Sequence, residues 1–146
     1  AYSWYNNDEE TYGATYGALY NWFAVNTGKL CPEGWHVPSD DEWTGLTDFL
    51  GGETGAGGKL KSTSNWLEPN AGATDEIGMS VQPNGARRDN NGTFFRVEQY
   101  AYFWSSTEGN DAAKSWQRHL YYGHGNVTRA TSDKKYGFAV RCVKDN

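Results

Sequence analysis

The residues best suited to chemistry are oxygen donors held in Gly-rich loops. Glu68-Pro69-Asn70 sets a carboxylate and a carboxamide on either side of a turn-forming proline. "NAGATDE" adds Thr74, Asp75 and Glu76, and "RRDNNG" adds Asp89, Asn90 and Asn91. Calcium takes about 6–8 hard oxygen ligands of this kind. Asp75, Glu76, Asp89 and Asn90 are therefore candidate ligands of a structural calcium ion, although the same residue types are also the commonest turn formers. Nothing in the sequence requires a cofactor.

Nitrogen, sulfur and hydroxyl chemistry offers less. The three histidines are His36, His119 and His124. His119 and His124 are close enough in sequence to share a metal, but loop histidines are more ordinarily solvated. No GxSxG nucleophile motif occurs, and among 18 Asp and Glu no pair stands out for general acid–base work. Cys31 and Cys142 lie in no CxxC or Cys/His cluster. Paired, they would close a loop of about 110 residues and stabilise the fold by about 4–5 kcal/mol in the chain-entropy model; two buried thiols are the alternative.

Recognition chemistry is better represented. In "AKSWQRHLYYG", period-two alternation puts Trp116 and Leu120 on one side and Gln117, His119 and Tyr121 on the other. The first set is expected in the core and the second outside. Tyr122, His124, Asn126, Thr128, Arg129 and Thr131 follow on the adjoining loop and strand. Exposed Tyr, His, Asn and Arg suit binding, because rings give contact area at low entropy cost and polar tips give direction. A fold this rich in Tyr must, however, expose some of them whatever its function.

The elements that position these residues can be read in part. The chain has 146 residues, enough for one domain spanning 1–146. Aromatics make up 16%, with 7 Trp and 10 Tyr, which favours β-rich or irregular α+β architecture over a helical bundle. A net charge of −5 without like-charge blocks argues against nucleic acid or an anionic membrane as partner. No apolar run reaches the roughly 18 residues of a membrane span, so no membrane insertion is expected.

Ser39 and Glu42 form a capping box, with Asp40 and Asp41 in the first helical turn. Trp43, Leu46, Phe49 and Leu50 then share a face before Gly51-Gly52 ends the helix. Trp35-His36-Val37 predicts a short strand, and "YGALYNWFAV" a strand or a helix. Residues 51–92 read as one long turn-rich excursion. "TFFRVEQYAYFWSST", "AKSWQRHLYYG", "NVTRAT" and "YGFAVRCV" predict short strands in an antiparallel meander.

The order "YGALYNWFAV", "LCPEGWHVPSDDEW", "GGKLK", "GATDEIG", "FWSSTE" and "DKKYGFAVRCVKD" resembles the Fibrobacter succinogenes major paralogous domain from Tyr12 to Asp145. That is a family of extracytoplasmic bacterial modules in the C-type lectin-like superfamily. "WHVPSDDEW" and "YGFAVRC" are more distantly similar to the formylglycine-generating enzymes of the same fold. The resemblance implies a C-type lectin-like α+β fold: a short antiparallel sheet, one or two helices, long loops and both termini together in one sheet. It also implies a ligand-facing surface on the strands after Trp104.

Mannose-type calcium lectins combine Glu-Pro-Asn with a later Glu and a Trp-Asn-Asp triplet. Here the corresponding strand reads Phe103-Trp104-Ser105-Ser106, so half of that site is missing. Formylglycine-generating enzymes use a cysteine pair in the C-terminal third, and this chain has none between Trp104 and Phe138. The interval Trp116 to Lys135 matches the variable stretch of retroelement-diversified binders on this fold. The expectation is a secreted or cell-surface module of a larger protein that binds a glycan or a protein and does not catalyse. The alternatives are a degenerate formylglycine-generating-type enzyme and a purely structural adhesin module.

Overall fold

The computed structural model describes all residues, 1–146. The first 25 residues fold on themselves. β1 (Tyr2–Trp4) pairs antiparallel with β2 (Ala18–Tyr20), and α1 (Glu9–Tyr16) lies between them. Asp8 starts α1 by accepting from the Thr11 amide at 3.0 Å. "YGALYNWFAV" divides: it contributes β2 and then α2 (Trp22–Val25), which Asn21 caps.

β3 (Trp35–His36) leads into α3 (Asp40–Phe49), whose reciprocal Ser39–Glu42 capping box is formed. Trp43 and Leu50 are buried and Leu46 packs beside them, but Phe49 is 81% exposed and Thr47 takes its place inward. At 100° per residue, position 49 falls off the stripe defined by 43, 46, 47 and 50.

The excursion after Gly52 holds more structure than its composition indicates. α4 (Glu53–Leu60) follows at once, kinked at Thr54 and Gly55. Its glycines are contact points: a Cβ at Gly57 would lie 2.3 Å from the Asn126 carbonyl oxygen, and one at Gly58 2.2 Å from that of Gly72. Backbone bonds tie the passing loops to it, from Gly58 N to Gly125 O, Thr74 N to Gly58 O and Val127 N to Glu53 O. Lys61, fully buried, donates its ammonium to the carbonyls of Ala71 (2.8 Å), Tyr121 (3.1 Å) and His124 (3.1 Å). Burial lowers its pKa to about 8.

The main sheet has five strands in the order β5-β4-β6-β7-β8: β4 (Asn84–Arg87), β5 (Phe94–Val97), β6 (Tyr100–Glu108), β7 (Lys114–Tyr121) and β8 (Thr128–Asp133). β6, β7 and β8 form the expected meander. β4 inserts between β5 and β6 and runs parallel to β6, so the sheet is mixed. Alternation along β6 builds two cores. Ala101 and Phe103 join Trp43, Leu60, Trp66 and Leu120 on one face, while Tyr102 and Trp104 join Trp22, Val37 and Phe138 on the other.

The architecture is therefore α+β, with four short α-helices where one or two were expected. The termini do not share a sheet. β1 pairs with β2, whereas β9 (Val143–Lys144) pairs with β3. "YGFAVRCV" is not one strand but a series of single bridges, Phe138 to Tyr20, Gly137 to Arg87 and Ala139 to Phe103, before β9 begins. It acts as a seam between the N-terminal ribbon and the main sheet. Beside it Cys31 and Cys142 form a disulfide, which settles the choice left open between a bridge and two thiols.

Candidate functional site

β7 is a central strand, and its two faces meet different neighbours. Trp116, Arg118 and Leu120 face α3. There Arg118, 2% exposed, donates to Asp40 Oδ1 at 2.6 Å, to the Asp40 carbonyl at 3.0 Å and to Thr44 Oγ1 at 3.0 Å. Arg129 adds its Nη2 to Asp40 Oδ2 at 2.7 Å and stacks on Trp116 at 3.5 Å. Bonds from both guanidiniums hold the Asp40 carboxyl below its usual range although burial alone would raise it. Arg129 is thus engaged in a structural ion cluster.

Gln117, His119 and Tyr121 face the opposite side. Gln117 was expected outside, but it is only 3% exposed. It lies between Trp104 of β6 and Ala130 of β8, and its carboxamide meets His119 Nδ1 at 3.3 Å and Ser132 Oγ at 3.4 Å. Neighbouring strands flank it, and the core of Trp22, Trp104 and Phe138 packs on the same face, so its side chain is shielded. Trp116, expected in the core, is half-buried beneath Arg129.

Register divides the rest of the set. Thr128 pairs with His119 and shares its face, whereas Arg129 and Thr131 pair with Arg118 and Trp116 and belong to the other. Tyr122 packs against the α3-side core. His124 is exposed and accepts from the Asn126 amide at 3.2 Å. The expected single face is therefore two faces and a loop.

The structure brings other residues to His119 and Tyr121. Ring centroids run from His124 to Tyr121 (5.2 Å), Tyr121 to Tyr100 (4.7 Å), Tyr100 to Tyr102 (5.4 Å) and Tyr102 to Phe138 (4.8 Å). Phe138 continues to Tyr136 (5.5 Å), and Tyr136 to Phe95 (6.3 Å). Arg96 lies 4.6 Å over Tyr100 and donates to the Tyr102 hydroxyl at 2.5 Å; Arg88 lies 4.5 Å over Phe95. A cleft of about 430 Å³ opens among Arg88, Phe95, Arg96, Tyr136, Lys114 and Asp133. His119, half-buried, has its pKa lowered to about 4, first by burial and then by Arg96 and His124, so it is neutral at pH 7.

Sequence reading missed Tyr100, Phe95, Arg88, Arg96, Lys114 and Tyr136 as site residues. The available signal was Arg96 set among the rings of "FFRVEQYAYF".

The candidate calcium ligands are placed apart from this cleft or against it. Asp75 accepts from Ser80 through both carboxylate oxygens, at 2.7 and 2.5 Å, and Glu76 lies 3.8 Å from Lys59. Asp89 lines a second cleft together with Arg87 and Arg88, a setting that repels a cation. Asn90 lies next to it, exposed in the turn that leads to β5. No group of three or more His, Cys, Asp or Glu is positioned to hold a metal ion. Asn70 turns inward, donating to the Ser62 carbonyl at 3.1 Å, so Glu68-Pro69-Asn70 closes a loop.

No curated protein and no solved structure matches the chain significantly. A family model does, over residues 1–144, and every element described above lies within that span. The chain accordingly belongs to the Fibrobacter succinogenes major domain family.

Proposed function

We propose that this chain is an extracytoplasmic binding module of C-type lectin-like architecture, which recognises a glycan or a protein and does not catalyse. The observation that carries this reading is the partly exposed end of the ring run across β6 and β7, where Tyr100 and Tyr121 touch at 4.7 Å and Arg96 stacks on Tyr100. Aromatic faces pack against the C–H faces of sugars, and polar tips supply direction. The disulfide suits an oxidising compartment. No helix is long and apolar enough to cross a membrane, which fits a module carried by a larger secreted or surface protein.

The set Gln117, His119, Tyr121, Tyr122, His124, Asn126, Thr128, Arg129 and Thr131 narrows under this proposal. His119, Tyr121, His124 and Thr128 remain as ligand contacts, joined by Tyr100. A glycan array read with and without chelator tests the reading. Binding is expected to survive chelation and to fall at least about tenfold in Tyr100→Ala/Tyr121→Ala, the loss typical of ring anchors. Full binding by that double variant would exclude this face.

A further inference from the structure

The cations of this chain are unevenly placed. Net charge is −5, yet Arg87, Arg88, Arg96, Lys114 and Lys135, five of the 13 Lys and Arg, line two adjoining clefts of about 350 and 430 Å³. Arg88 belongs to both. Only Asp89 and Asp133 bring negative charge to the walls. None of the five has a carboxylate within 4.0 Å; of the other eight, Lys59, Arg118, Arg129 and Lys134 do and Lys29, Lys61, Arg141 and Lys144 do not.

Two of these cations are held ready. The Arg88 guanidinium lies 4.5 Å over the Phe95 ring, and that of Arg96 lies 4.6 Å over Tyr100 and 5.4 Å over Phe95. A guanidinium stacked on a ring leaves N–H donors for a planar anion, and its fork matches a carboxylate or sulfate in two parallel bonds; Arg96 gives one Nη1 donor to the Tyr102 hydroxyl and keeps the others.

Resting on the binding reading above, we infer that the ligand is an anionic glycan lying across Arg88 from one cleft into the other. Its acid groups meet Arg88, Arg96 and Lys114, and a sugar ring packs on Tyr136, the partly exposed ring of that cleft with no guanidinium over it. Cations spaced along two clefts, each of which also offers a tyrosine, Tyr2 in one and Tyr136 in the other, match a chain in which charged groups alternate with sugar rings. A compact anion would need the cations to converge on one point.

The test is calorimetric titration with four probes: a galacturonate oligomer, the same oligomer fully methyl-esterified, a chondroitin sulfate oligomer and a glutamate oligopeptide. The expected result is binding of one or both acidic glycans, weakened by added salt. The ester is expected to bind at least about tenfold more weakly than the free acid, and Arg88→Gln to lose about tenfold or more, as for a charged hydrogen bond removed. Arg88→Lys should recover part of that loss. Unchanged melting temperatures separate lost contacts from lost fold.

Galacturonate binding would show that a carboxylate suffices; binding of chondroitin sulfate alone, which carries both a uronate and a sulfate, would point to the sulfate. Equal binding of acid and ester, an unaffected Arg88→Gln, binding of neither acidic glycan, or tighter binding of the peptide would each overturn the inference. Neutral glycans bound through Tyr100 and Tyr121 but indifferent to Arg88 would leave the binding reading standing while this one falls. An array with no bound glycan and a titration with no bound probe would remove this inference together with the glycan half of the binding reading.

Discussion

At the scale of the residue, the environment assigns roles that residue type alone does not. His119 and His36 differ in this way. His36 lies between Asp145 (2.5 Å) and Glu42 (2.8 Å), and those bonds, Asp145 first, raise its pKa above the ordinary 6.5. His119 is buried among Tyr100, Tyr102 and Gln117, beside Arg96, and its pKa falls to about 4. Between pH 6.5 and 4 the unfolded chain protonates His119 while the folded one does not. Its contribution to stability is therefore present above 6.5 and lost as pH falls through about 4. The melting temperature should drop across that window, and the drop should shrink in His119→Gln. Asp40 and Glu42, whose pKa values are lowered, act mainly below it. Identical pH profiles for the two proteins would refute the assignment. Lys61 makes a related point: its ammonium already satisfies three loop carbonyls that a hard cation would otherwise attract.

At the scale of the element, glycine separates two cases that look alike in sequence. Gly58 in α4 is crossed by the backbone of Gly72, and a methyl group there would sit 2.2 Å from a carbonyl oxygen that cannot swing away. Gly58→Ala should cost about 1–3 kcal/mol or more, as for overpacking. Gly45 in α3 has open space around its Cβ position, and Gly45→Ala should stabilise by about 0.5–1 kcal/mol through helix propensity. Urea titration measures both, and like signs for the two substitutions would contradict the packing account. The α3 capping box was legible because all its information lies within four residues. α4 was not, because glycines that read locally as breakers are required by chains passing some 15 and 70 residues away.

At the scale of the whole molecule, the Cys31–Cys142 bridge spans 111 residues and ties the segment before β3 to the segment before β9. Chain entropy alone assigns such a loop about 4–5 kcal/mol. Cys31→Ser/Cys142→Ser should lose stability of that order in denaturant titration, and a loss under about 1 kcal/mol would show that the termini are held by other means. Charge is also distributed at this scale. A net acidic chain places five of its nine cations without a carboxylate partner where β4, β5 and the segment after β8 converge.

What the sequence by itself determined are the features encoded over short range: the α3 cap, the Trp35–His36 strand, the β6-β7-β8 meander and the alternation that separates Leu120 from His119. Each depends on spacing within a few residues, where local sterics and periodicity decide the outcome. The tertiary structure alone decided that Gln117 is shielded, that Arg129 is bound to Asp40 and that β4 runs parallel inside the sheet. It also brought Arg88 and Arg96 to the rings of Tyr100 and Phe95. Those outcomes depend on which distant segments pack together, and burial and charge pairing act through space, where separation along the chain carries no information.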